Sequence, residues 1–252
     1  MRNFDLCGRG QALVTGAARG LGFALANELK ARGFDIIITG RDEKTLKAAA
    51  DLLGASYYVC ELAASGAAKK LYERIKADGH TLSVLVNNAG LGASGEAWTV
   101  DEEKDRELIA VNITAATELS KLFLSDACGR GYGALLNVCS VGAFQPGPYT
   151  ASYYASKAYL HSYTSAAREE AKRYGVSVSS LCPGPLDTDF FKAAGANKPK
   201  TSMSAEKAAA YAIPRFLNGR KTIVPGFYNR LARLLPASIK AKYVAKIKGT
   251  KN

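Results

Sequence analysis

Histidine is scarce in this chain. Among 252 residues only His80 and His161 occur, too few and too far apart in sequence to suggest a metal cluster. The five cysteines, Cys7, Cys60, Cys128, Cys139 and Cys182, are odd in number and widely spaced, and no two form a C-x-x-C pair. Neither a disulfide framework nor a zinc site is expected, and the default is reduced thiols in a cytoplasmic protein. No run of eighteen or more apolar residues appears, which argues against a transmembrane helix. Residues 1–10 contain Asp5 and lack the apolar core of a secretory signal. Repeats, low-complexity tracts and convincing linkers are also missing, so one domain is the simplest organisation.

Acidic residues are nearly absent from the last quarter. Residues 190–252 hold fourteen Lys or Arg against one acid, Glu206, a net +13, while the whole chain carries +12. The first three quarters are therefore close to neutral, and the asymmetry points to an anionic partner. No recognisable nucleic-acid fold accompanies these cations, so DNA and RNA are not expected partners.

About half the residues (48%) are apolar, enough for a sizeable core. Short apolar runs at 11–14, 34–39, 56–60, 82–86, 134–139, 176–181 and near 221–225 read as strands. Stretches 20–32, 42–53, 65–78, 101–128, 152–174 and 204–218 read as helices, with Asp42 as an N-cap. Residues 186–203 read as a mobile loop with one helical turn. This alternation predicts parallel strands joined by right-handed crossovers. The fold class is α/β: a single-domain, Rossmann-type, doubly wound parallel sheet of about seven strands with helices on both faces. It spans 1–225, and 226–252 form a basic amphipathic extension.

Between the first strand and the first helix runs Thr15-Gly16-Ala17-Ala18-Arg19-Gly20-Leu21-Gly22. Glycines in such a turn let the backbone approach a pyrophosphate, and the helix N-terminus offers free N–H groups. The spacing is G-x-x-x-G-x-G rather than the commoner G-x-G-x-x-G. The second strand ends Thr39-Gly40-Arg41, with no carboxylate to bind a ribose 2′-hydroxyl. Arg41 is instead ready to pair with a 2′-phosphate, and Arg19 adds a second cation. NADP(H) is expected over NAD(H), although Asp42 and Glu43 lie close enough in sequence to oppose Arg41.

Tyr153 and Lys157 are four residues apart in a helical stretch, and so share one face. A nearby ammonium favours phenolate, so the pair is expected to exchange protons near neutrality. A lone Y-x-x-x-K is weak evidence. Ser140 at a strand end, Asn112 at the start of an apolar helix and Asn87-Asn88-Ala89-Gly90 after the fourth strand strengthen it, because parallel strands open their ends on one edge. Tyr154 lacks the spacing to Lys157 and is expected to pack or line the pocket.

With these motifs in this order, the sequence resembles the short-chain dehydrogenase/reductase family over residues 10–225. The loop at 15–22 carries that family's glycine spacing. Asn87-Asn88-Ala89-Gly90, Ser140 with Tyr153-Tyr154-Ala155-Ser156-Lys157, and Pro183-Gly184-Pro185 with Thr188 match its later motifs. The resemblance implies Tyr153 as general acid in reduction and Lys157 as its partner and holder of the nicotinamide ribose. It implies Ser140 on the substrate carbonyl, and Asn112 holding a water that links Lys157 to solvent. It also implies cofactor contacts from Thr15, Gly16, Arg19, Gly20, Leu21, Gly22, Arg41, Asn88, Ala89, Gly90, Pro183, Gly184 and Thr188. Glu61, with Leu62 after it, occupies a place where the family usually has Asp beside the adenine. Homodimers and homotetramers are common in that family, and its chemistry requires no metal.

On the substrate side, Phe144, Tyr149, Phe190 and Phe191 suggest a hydrophobic carbonyl or alcohol substrate, and the run 144–149 resembles 3-ketoacyl and hydroxysteroid reductases. In the tail, Ile239, Tyr243 and Ile247 recur at helical spacing among lysines. Three uses fit: an apolar stripe capping the domain or a partner subunit with lysines in water, contact with an anionic membrane surface, or a grip on an acidic acyl carrier or acyl-CoA. The rival functions are an NAD-linked alcohol dehydrogenase and a non-catalytic, nucleotide-binding redox sensor.

Overall fold

The computed structural model describes residues 10–197, 199, 201–232 and 235–249. Cys7, the first residues of the chain and its last three lie outside that range. Along the chain run β1 (Gln11–Thr15), α1 (Gly20–Lys30), β2 (Asp35–Gly40), α2 (Glu43–Leu53), β3 (Ser56–Val59), α3 (Ala67–Ala77) and β4 (Leu82–Asn87). Next come α4 (Glu102–Ile109), a π-helical segment (Ala110–Ala115), α5 (Ala116–Arg130), β5 (Gly133–Val138), α6 (Ala151–Ala171) and β6 (Val176–Leu181). The remainder holds β7 (Leu186–Asp187), α7 (Phe190–Ala193), β8 (Met203–Ser204), α8 (Ala205–Leu217), β9 (Thr222–Ile223), α9 (Phe227–Ala232) and α10 (Ala237–Gly249).

Seven strands form one parallel sheet in the order β3-β2-β1-β4-β5-β6-β9. Alternate residues of each strand feed opposite faces, as the two-residue strand period requires. Ala12, Val14, Ile36, Ile38, Val84 and Val86 pack with α1, α2 and α8 on one face. Leu13, Ile37, Leu85 and Leu135 pack with α3, α5 and α6 on the other. The expected doubly wound sheet is thus present. Its strand order reverses between β1 and β4, where a crevice opens at the carboxyl ends of the strands.

Local signals placed the elements well. Asp42 caps α2 by accepting from the Thr45 N–H at 2.8 Å. Two readings need correction. Within 186–203 the expected helical turn is α7, and the paired strands β7 and β8, which the loop reading lacked, flank it; residues 198 and 200 lie outside the described range. The helix carrying Asn112 does not begin there: Glu102–Arg130 is one continuous rod, and Asn112 lies in its π turn. That rod contains a window of mean hydropathy 1.3, apolar and long enough to cross a membrane. Here Leu119, Phe123 and Ala127 turn its apolar side onto the sheet.

Candidate functional site

The carboxyl ends of β1 and β4 are stitched together by side chains. Thr15 Oγ1 accepts from the N–H groups of Asn88 (3.0 Å) and Ala89 (2.9 Å). Asn88 Nδ2 returns two bonds, to the carbonyls of Thr15 (2.9 Å) and Gly16 (3.1 Å). This lattice fixes the glycine turn. Gly16 and Gly20 adopt φ of 63° and 59°, where a side chain is strained. A Cβ on Gly22 would run into the Gly16 carbonyl and the Asn88 amide. Arg19, the N-cap of α1, makes no side-chain cap, and no acid occupies the first turn, so the helix offers its N–H groups outward.

Two cations flank this turn, and both meet carboxylates. Arg19 Nη1 lies 3.2 Å from Asp189 Oδ2. Arg41 Nη1 lies 3.5 Å from Glu107 Oε1 and 4.0 Å from Glu61 Oε2. The acids next in sequence, Asp42 and Glu43, are not its partners here. Asp42 is spent on its cap, while Glu107 reaches over from α4. Glu61 Oε1 also accepts from the Ala63 N–H at 3.1 Å, and Leu62 is buried in the core.

Across the crevice, α6 brings Tyr153 and Lys157 to the end of β5. Lys157 is buried and donates to the Val138 carbonyl at 2.9 Å, with Nζ 5.8 Å from the centre of the Tyr153 ring. Ser140 is the N-cap of a short turn, accepting from the Gly142 N–H at 3.0 Å, and lies within hydrogen-bond reach of the Tyr153 hydroxyl. Asn112 is buried beside Gly90, where an added Cβ would stand 3.2 Å from Lys157 Nζ and 3.3 Å from Asn112 Oδ1. All four residues named from the sequence therefore converge.

Their electrostatics differ from the spacing argument. Burial pushes the Tyr153 phenol above its ordinary value, with the Ser140 hydrogen bond working against it. Burial pulls the Lys157 ammonium below its ordinary value. Desolvation dominates at both groups, and the ammonium is held on a backbone carbonyl.

Val141 N–H donates to the Pro183 carbonyl at 2.9 Å, tying the segment after Ser140 to Pro183. Gly184 is covered by the Asn229 side chain, and a Cβ on Gly20 would touch the Thr188 methyl at 3.3 Å. The Phe190 ring lies 5.4 Å from that of Tyr153 and abuts Gly92. Tyr154 packs under Gly142 and Gly147, as expected of a lining residue. Phe144 instead turns its edge to His161, at 5.2 Å. A shallow cavity of about 660 Å³ beside Gln11, Phe34 and Ser56 lies at the opposite, N-terminal edge of the strands.

Several residues at the site escaped sequence reasoning. Ser156 receives a bond from Asn112 Nδ2 (3.0 Å) and donates to the Tyr153 carbonyl (2.7 Å). Lys240 Nζ donates to the Phe144 carbonyl (3.0 Å), and Lys248 Nζ to Thr150 Oγ1 (2.8 Å). The reading in which the tail's apolar stripe caps the domain and its lysines face water holds only for Lys242 and Lys246, which are exposed. Lys240 is buried, whereas Ile239, Tyr243 and Ile247 are 55%, 66% and 52% exposed. Behind Ser140, the thiols of Cys139 and Cys182 and the His161 ring come within 4.8 Å of one another. Linear spacing, which made His161 look isolated, could not reveal this.

Known proteins share this frame. Residues 11–199 match the family model described as short chain dehydrogenase. The chain is 34% identical to the Escherichia coli 3-oxoacyl-[acyl-carrier-protein] reductase FabG over 185 residues, 72% of this chain and 75% of that protein. It is 31% identical to the probable oxidoreductase EphD of Mycobacterium tuberculosis over 75% of this chain, but spans only 33% of that longer relative. A short-chain dehydrogenase from Sphingobium yanoikuyae, solved with NADPH, superposes with a TM-score of 0.81 at 24% identity, covering 96% of this chain and 95% of that one. A structure described as a putative betaketoacyl-ACP reductase superposes with a TM-score of 0.75 at 28% identity, covering 86% and 96%. Sequence match, strand order and crevice agree, and the chain belongs to the short-chain dehydrogenase family.

Proposed function

We propose that this chain is an NADPH-dependent oxidoreductase that reduces the carbonyl of a hydrophobic ketone or 3-oxoacyl-type substrate, with Tyr153 as general acid. The observation that carries this reading is the convergence of Tyr153, Ser140, Lys157 and Asn112 at the carboxyl edge, facing the glycine turn. The turn suits a dinucleotide, because a Cβ would intrude at Gly16 and Gly22 and Gly20 holds a positive φ. Arg19 and Arg41 would hold a 2′-phosphate in exchange for their present carboxylates. Family relatives include the reductase FabG, and the Sphingobium structure contains NADPH.

When bound, the nicotinamide supplies hydride to the carbonyl carbon. The protein's part is the oxygen. Ser140 donates a hydrogen bond to it and so meets the charge that develops there. Burial keeps the Tyr153 phenol protonated through neutral pH, so it has a proton to give that same oxygen. Lys157, anchored on Val138, would hold the ribose hydroxyls and stabilise the phenolate left behind. Phe190 packs beside the Tyr153 ring, and Tyr154 packs against Gly142 and Gly147.

We read residues 1–225 as the catalytic and cofactor-binding unit and 226–252 as its extension. A homodimer or homotetramer in the cytoplasm accompanies this reading. The test is NADPH consumption measured across ketoacyl thioesters, steroids, sugars and simple ketones, with Tyr153→Phe as control. Turnover of one class that disappears in the control is the expected result. Equal turnover by the control would remove Tyr153 from its role, and NADPH binding without turnover of any carbonyl would favour a redox sensor.

A further inference from the structure

We propose that α9 and α10 form a docking face for an anionic lipid surface. The outward side of these two helices is apolar and aromatic. Phe227, Tyr228, Leu231, Leu235, Ile239 and Tyr243 are between 48% and 84% exposed. Isolated exposed apolar residues are ordinary, but a row of them on consecutive helices marks an interaction surface. Buried Lys240 and the inward-facing Lys248 fix the orientation, because both bond to the protein body at Phe144 and Thr150. The apolar side therefore faces outward because the two lysines hold the opposite side down.

Charge selects the occupant. Residues 226–252 contain seven Lys or Arg and no acid. Arg230, Lys242 and Lys246 are exposed beside the apolar row. A second copy docking through the same patch would set cations against cations with no carboxylate to offset them, since a two-fold contact uses the same residues on both sides. An interfacial helix with aromatic and aliphatic residues on one side and lysines at its flanks matches the boundary of a bilayer with anionic headgroups. The helix tied to the segment before Tyr153 would then lie on that boundary, and an apolar substrate dissolved in the lipid would be delivered beside the site.

Flotation of the full chain with vesicles of phosphatidylcholine alone, or with about a third phosphatidylglycerol, tests this. Binding is expected only with the anionic vesicles, and salt should weaken it. Ile239→Ser with Tyr243→Ser, and separately Lys242→Glu with Lys246→Glu, should each reduce the bound fraction roughly tenfold or more, with thermal unfolding and nucleotide binding unchanged. Failure of the native chain to float, equal binding to neutral vesicles, or undiminished binding by both variants would each overturn the proposal. So would a change in sedimentation showing that these substitutions split an oligomer, which would make the face a contact between copies.

Discussion

Asn112 grips Leu91 with both ends of its amide. Oδ1 accepts the Leu91 N–H at 2.8 Å, and Nδ2 donates to the Leu91 carbonyl at 2.9 Å. The π turn at Ala110–Ala115 carries this side chain, and such bulges frequently mark functional positions. The grip fixes the strand-end segment 87–91 against α6 through Ser156. Asn112→Leu leaves part-buried backbone groups of Leu91 unpaired, so a loss of about 1–3 kcal/mol is expected in chemical denaturation. Unchanged stability would show that the contact is incidental.

Gly22 has no room for a side chain. Gly22→Ala pushes a methyl against the Gly16 carbonyl and the Asn88 amide, and must displace the turn. Destabilisation of about 1–3 kcal/mol is expected, with nucleotide binding lost, as seen by calorimetry. Gly129 provides the contrast. It is helical, exposed and has open space around its missing Cβ. Gly129→Ala should stabilise the chain by about 0.5–1 kcal/mol.

The pairing of Arg41 with Glu107 and Glu61 makes those carboxylates competitors for any 2′-phosphate. Both pairs are well exposed, so each is worth at most about 1 kcal/mol. Glu107→Gln should tighten NADPH roughly twofold to fivefold and leave NADH unchanged. Arg41→Ala should erase the preference for NADPH. A titration of both nucleotides against the three proteins decides the matter; equal affinities throughout would place the phosphate elsewhere.

Lys248 gives a pH signature. Burial lowers its pKa to about 8, below the ordinary lysine value of 10.5. The folded chain therefore binds fewer protons at this site than the unfolded chain between pH 8 and 10.5, and stability rises with pH across that window. Below pH 8 the cost of the buried charge is paid in full. Lys248→Met should raise the unfolding midpoint at neutral pH and flatten this rise. A parallel rise in both proteins would show that Lys248 remains solvated.

How much of this was legible in advance depends on the range of the signal. The cap at Asp42, the turn at Gly16–Gly22 and the pair Tyr153 with Lys157 were readable because each is decided within a few residues by backbone sterics or helix period. Glu107 gave no local warning, because its partnership with Arg41 depends on the fold bringing α4 to the residue that follows β2. Cys139, His161 and Cys182 meet only because β5 and β6 pair while α6 crosses them.

The sequence by itself determined the alternation of strands and helices, and hence the parallel sheet and the edge at which its motifs gather. Hydrophobic period and glycine placement are properties of the chain segment alone. Tertiary structure decided which way the amphipathic tail turned and that burial governed the Tyr153 phenol. A helix with apolar and basic sides can bury either one. The stems of Lys240 and Lys248 reached carbonyl and hydroxyl acceptors on the body, and burial raised the Tyr153 phenol whatever its spacing to Lys157.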